Sequence, residues 1–88
     1  MKMMIVILGD GDAMTVLPAL LEKEFRVTRV ASTGGFLRRG NTTLLIGAPA
    51  ERIDEAFEII RSASAPPATP GQRRATVFVL DIERYEQL

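Results

Sequence analysis

The sequence predicts an α+β fold in which strands and helices follow the order βαββαβ. Three observations carry that expectation. Four short apolar runs containing β-branched residues are spread along the chain, two stretches between them repeat apolar residues at helical spacing, and glycine or proline marks the connections. With 88 residues, 47% of them hydrophobic and 25% charged, residues 1–88 are expected to form one globular domain.

Residues 3–8 are a short apolar run closed by Gly9, Asp10 and Gly11, which reads as a buried strand ending in a turn. Asp12 is then expected to cap a helix reaching Glu24, with Val16, Leu17, Leu20 and Leu21 as its apolar stripe. Pro18 lies inside that stretch without an N–H to donate, so the helix is expected to kink early or to start later than the cap implies. Residues 26–32 alternate as a second strand, with Arg26, Thr28 and Val30 on one face and Val27, Arg29 and Ala31 on the other.

Residues 33–40 carry Gly34, Gly35 and Gly40 and lead to a third strand at 42–46, so the second and third strands are expected to pair as a hairpin. Pro49 suits the first position of the second helix, where a missing N–H costs nothing. Ile53, Phe57 and Ile60 line one face of this helix, while Glu51, Asp54, Glu55 and Glu58 sit mostly opposite and favour the positive end of the helix dipole. Residues 65–72 form a proline-rich connector expected to stay extended or mobile. The last strand is expected at 75–82, followed by a polar tail at 83–88. This order, with two helices on one face of a four-stranded antiparallel sheet, is the ferredoxin-like arrangement.

Two helices cover one sheet face only. Strands wetted on one side alternate apolar and polar residues, yet Thr43, Leu44, Leu45 and Ile46, and again Val77, Phe78, Val79 and Leu80, are apolar on both sides. A homo-oligomer packed sheet to sheet is therefore expected.

The charges sum to zero, with 11 basic and 11 acidic residues, which excludes a broad basic surface for polymeric nucleic acid. They are segregated, however. Between Phe25 and Ala50 there is no Asp or Glu, while Arg26, Arg29, Arg38 and Arg39 give that window +4 and leave −4 elsewhere. The absence of Cys and His excludes disulfides, thiolate nucleophiles, ordinary zinc sites and imidazole-based triads. The first apolar run is far shorter than the roughly 20 residues of a membrane span and too short for a signal segment, so a cytoplasmic protein without a membrane span is expected.

The acid-free window holds the parts of a nucleotide pocket: arginines that fork onto phosphate, a Gly-Gly connection that lets backbone approach a ligand, Phe36, and the hydrogen-bonding Thr33, Asn41, Thr42 and Thr43. The competing reading is that an arginine-rich genome and a simple turn account for the same residues. Gly9, Asp10, Gly11 and Asp12 do not make a dinucleotide fingerprint, because position 14 is Met, and they lack the further ligands of a calcium loop. Asp54, Glu55 and Glu58 read as the solvated face of a helix, and Arg73 with Arg74 are too few to grip a nucleic-acid backbone. No catalytic or metal-binding residue is assigned.

Four stretches together resemble the PII-like cyclic di-AMP receptor family: Met1 to Met3, the run of Phe25, Arg26, Val27 and Thr28, the run ASTGGFLRRGNTT at 31–43, and Ala75 to Val79. The thirteen-residue run is the specific part. The resemblance implies a ferredoxin-like subunit, a homotrimer with sheets packed about a central axis, and a nucleotide pocket in each cleft between subunits. It further implies that Arg26 and Thr28 reach an adenine or phosphate, that Gly35, Phe36 and Leu37 form a wall with backbone contacts, and that Asn41 hydrogen-bonds the ligand. Gly47, Phe78 and, from the tail, Gln87 match further pocket positions. Members of that family carry a long glycine-containing loop between the second helix and the last strand, where this chain has about a dozen residues, mostly Ala and Pro.

The implied function is a non-enzymatic signal-transduction protein that binds cyclic di-AMP, or a related adenine nucleotide, and relays occupancy to an unknown protein partner, with residues 33–40 as the switch element and no cofactor. A structural or adaptor trimer that has lost ligand binding with the long loop is the alternative. An enzyme acting on a nucleotide is disfavoured, since no residue supplies an obvious base or nucleophile.

Overall fold

A computed structural model describes residues 1–30, 40–64 and 75–88. Its elements are β1 (Lys2–Gly9), α1 (Asp10–Glu22), β2 (Arg26–Val30), β3 (Asn41–Ala48), α2 (Ile53–Ala63) and β4 (Ala75–Asp81), with a 3₁₀ turn at Ala50–Arg52 leading into α2. The strands form one antiparallel sheet in the order β2-β3-β1-β4. This is the ferredoxin-like α+β arrangement that the sequence predicts.

The core follows from two periodicities. Alternate residues Met4, Val6 and Leu8 of β1 and Leu44, Ile46 and Ala48 of β3 are buried against the helices. Ala13, Val16 and Leu20 of α1 and Ala56 and Ile60 of α2 meet them at helical spacing, with Phe25 filling the space after α1. Ile53 and Phe57 pack partly buried against this cluster, while Asp54, Glu55 and Glu58 stay exposed as expected.

Five local expectations are corrected. There is no turn at Gly9 to Gly11: β1 runs directly into α1, with Gly9 at the cap position, and Asp12 is buried inside the first turn instead of capping it. The reason is a tie to β3, since the Asp10 N–H donates to the Gly40 carbonyl at 2.8 Å and the Thr42 hydroxyl donates to the Asp10 carboxylate at 2.5 Å. Gly40 takes φ of +87°, a conformation that favours glycine, to bring its carbonyl to that contact. Pro18 therefore sits well inside a continuous helix, where it removes one bond of the ladder without ending it.

The stripe of α1 is Ala13, Val16, Leu17 and Leu20, spaced i, i+3, i+4 and i+7, whereas Leu21 is 52% exposed. The second helix starts at Ile53 and not at Pro49, because the Arg52 N–H bonds the Pro49 carbonyl three residues back at 3.0 Å and closes a 3₁₀ turn first. Arg52 then staples the two helical regions. Its guanidinium lies 4.0 Å from the Phe25 ring centre and donates to the Lys23 carbonyl at 3.0 Å. The pairing of β2 with β3 brings Arg26 opposite Gly47 and Val30 opposite Thr43, as a hairpin requires, although most of the connection between them, 31–39, lies outside the described residues.

Candidate functional site

The helices cover the face that carries Met4, Val6, Leu44 and Ile46. The opposite face is assembled by register. One row runs Arg26, Gly47, Met3, Leu80 across the four strands, and the next runs Thr28, Leu45, Ile5, Phe78. No described helix packs on this face, and Phe78 and Leu80 are 53% and 44% exposed on it. The expectation of strands apolar on both sides is met.

At one end of this open face the chain closes on itself. Beyond β4 the Ile82 N–H donates to the Met1 carbonyl at 3.1 Å, which roots the tail beside the start of β1. Ile82 and Tyr85 beyond β4 then join the sheet in lining a cavity of about 250 Å³, together with Met1, Met3, Arg26, Thr28, Leu45 and Gly47. Among the described residues Arg26 supplies the only charged side chain of its lining, and no described carboxylate pairs with that guanidinium. Gly47 leaves the floor bare, since a Cβ built there would meet nothing within 4 Å. Such a space, mostly apolar with the Arg26 guanidinium and the hydroxyl-bearing Thr28 and Tyr85 in its lining, accepts a flat ring bearing an anionic group.

A larger hollow of about 380 Å³ lies between α1 and α2, but Glu22, Glu55 and Glu58 line it. Those carboxylates repel a phosphate. Among the described residues no group of three or more His, Cys, Asp or Glu side chains is placed to hold a metal ion. No described helix is long and apolar enough to cross a membrane.

Of the residues singled out in the sequence, Arg26, Thr28 and Gly47 meet in the cavity. Asn41 does not. It shares the open face but lies six residues from Gly47 along β3, about 20 Å at ~3.4 Å per residue. Beside it Thr43 buries a hydroxyl that has no hydrogen-bond partner among the described residues. Phe78 is on the same face, two strands from Leu45 and about 10 Å away. Gln87 is exposed on the tail, two residues past Tyr85, and does not line the cavity. Gly35, Phe36 and Leu37 lie outside the described residues, as do Thr33, Gly34, Arg38, Arg39, the connector at 65–72, Arg73 and Arg74.

Sequence reasoning missed Met1, Met3, Leu45, Ile82 and Tyr85 as lining residues. Strand parity from Arg26 and Thr28 reaches Gly47 and Leu45 once the β2–β3 register is known, but nothing in the tail announces that it folds back. Outside the cavity lining, Lys2 bonds and pairs with Asp81, and that hydrogen bond, followed by the ammonium charge, holds the Asp81 carboxyl below its ordinary 3.8.

Two comparisons bear on these residues. A family model described as "Cyclic-di-AMP receptor" matches residues 1–67, from β1 past the end of α2. Among solved structures, a crystal structure of a protein from Pediococcus pentosaceus ATCC 25745, described as functionally unknown, is 37% identical. The match covers 99% of this chain and 96% of that one, with a TM-score of 0.77.

Proposed function

The chain belongs to the cyclic-di-AMP receptor family, and on that premise we propose that it is a non-enzymatic, cytoplasmic PII-like signal-transduction protein that binds cyclic di-AMP between the subunits of a homotrimer and relays occupancy to a protein partner. The meeting of Arg26, Thr28 and Gly47 in one cavity carries this reading. Arginine and threonine offer a phosphate clamp and a base-edge hydrogen bond, and glycine leaves room for the base.

Cavity size supports a shared site. About 250 Å³ is below the ~300 Å³ at which pockets for drug-sized ligands begin, so one protomer accommodates one nucleobase with its attached groups and not a whole dinucleotide. Asn41 and the unpartnered Thr43 hydroxyl sit at the far end of the same face, too distant to touch a ligand held by Arg26 of their own chain. A neighbouring copy packed on the open face brings its far end to this cavity, and with it the second half of the site.

Isothermal calorimetry and thermal unfolding with cyclic di-AMP, AMP, ADP and ATP test the reading. Ligand at a hundred times its Kd is expected to add about 2.7 kcal/mol of stability, with cyclic di-AMP bound most tightly. Arg26→Ala is expected to weaken binding by about 1.5–3 kcal/mol, the usual worth of a hydrogen bond to a charged group. No heat and no shift with any adenine nucleotide would favour the adaptor trimer instead.

A further inference from the structure

We infer that Tyr85 is the base-stacking residue of the nucleotide site, so that the tail after β4 is a functional cover and not a loose end. The inference rests on the receptor reading and adds to it a residue and a chemical role. Tyr85 forms part of the cavity wall with Gly47 and Leu45, yet its side chain stays largely free, the residue being 57% exposed. An aromatic ring half in water on an irregular tail is poorly used as packing. Beyond Ile82 the tail is otherwise polar up to Leu88, and Arg84 and Glu86, which flank the ring, bond to each other at 3.0 Å. They take no part in the cavity lining.

The opposite surface is prepared for a flat group. Gly47 has no side chain and nothing fills the space above it, Leu45 adds an apolar surface, and Arg26 and Thr28 stand on the adjoining strand. A planar base entering between the bare floor and Tyr85 stacks on the phenol ring, presents its edge to the Thr28 hydroxyl, and leaves its phosphate at the Arg26 guanidinium. Aromatic stacking tolerates any base, so on this assignment Tyr85 contributes affinity and Thr28 contributes selectivity.

The chain offers its own probe, since Tyr85 is its one tyrosine and there is no tryptophan. Titration of the native protein with cyclic di-AMP is expected to quench tyrosine emission along the same isotherm that calorimetry gives. Tyr85→Phe is expected to bind within threefold of native, as the ring is retained, and Tyr85→Ala to bind about 5- to 150-fold more weakly, the range for one lost base stack. Tyr85→Leu keeps apolar bulk without a π face and is expected to behave like the alanine variant. Calorimetric binding with unchanged emission, or native affinity in Tyr85→Leu, overturns the inference and leaves the receptor reading intact. Absence of binding to the native protein overturns both.

Discussion

Gly47 is the residue whose identity matters most to the cavity and least to the fold. Its φ does not require glycine, and a Cβ there meets only open space, so Gly47→Val is expected to fold with a Tm within a few degrees of native or higher, since valine suits a strand. The same branch fills the floor on which a base would lie. Loss of more than tenfold in cyclic di-AMP affinity, measured by calorimetry on a variant of native stability, is the expected result; native affinity would move the ligand elsewhere. Asp81 makes a pH prediction of definite sign. Its folded carboxyl is held below 3.8 by Lys2, so the pair stabilises above pH 3.8 and that contribution is lost as pH falls further through the folded value. The pair is well exposed and its effect small. Asp81→Asn is expected to melt slightly lower than native at neutral pH, the gap closing in acid below 3.8.

At the scale of elements, the fold depends on the shared layer between β1, β3 and the helices. Leu44 is fully buried at the centre of β3, opposite Val6 in register and inside the helix-covered cluster. Leu44→Ala leaves a cavity there, and urea unfolding at fixed protein concentration is expected to register a loss of about 2–5 kcal/mol. Strand faces were legible in the sequence because alternation is a local rule: Arg26, Thr28 and Val30 do share a face, and the apolar halves of β1 and β3 fall where period two puts them. Helix boundaries were less legible. Gly9, Asp10 and Gly11 look like a turn and Asp12 like a cap until Gly40 and Thr42, thirty residues away in sequence, bond to Asp10 and draw the helix start back to it.

For the whole molecule, the open sheet face is the governing feature. Met3, Ile5, Leu45, Phe78 and Leu80 lie on it with no described helix covering them, an apolar area of the kind that marks an interaction surface. On the trimer reading, sedimentation equilibrium is expected to return three times the protomer mass. Phe78→Asp, which places a charge in the middle of that face and outside the protomer core, is expected to yield folded monomers. A native chain that sediments as a monomer would remove the shared site along with the trimer.

The sequence by itself determined which residues are apolar, which strand faces they occupy, and where positive charge collects, because these follow from local periodicity and composition. Tertiary structure alone decided that Arg26, Thr28 and Gly47 converge while Asn41, Phe78 and Gln87 stand apart from them, and that Tyr85 completes the wall. Those outcomes depend on the register between β2 and β3 and on the bond from Ile82 back to Met1. The second joins the two ends of the chain, and the first fixes which residues of a hairpin stand opposite one another; both are set by how the whole sheet buries its apolar face, which periodicity along one segment does not encode.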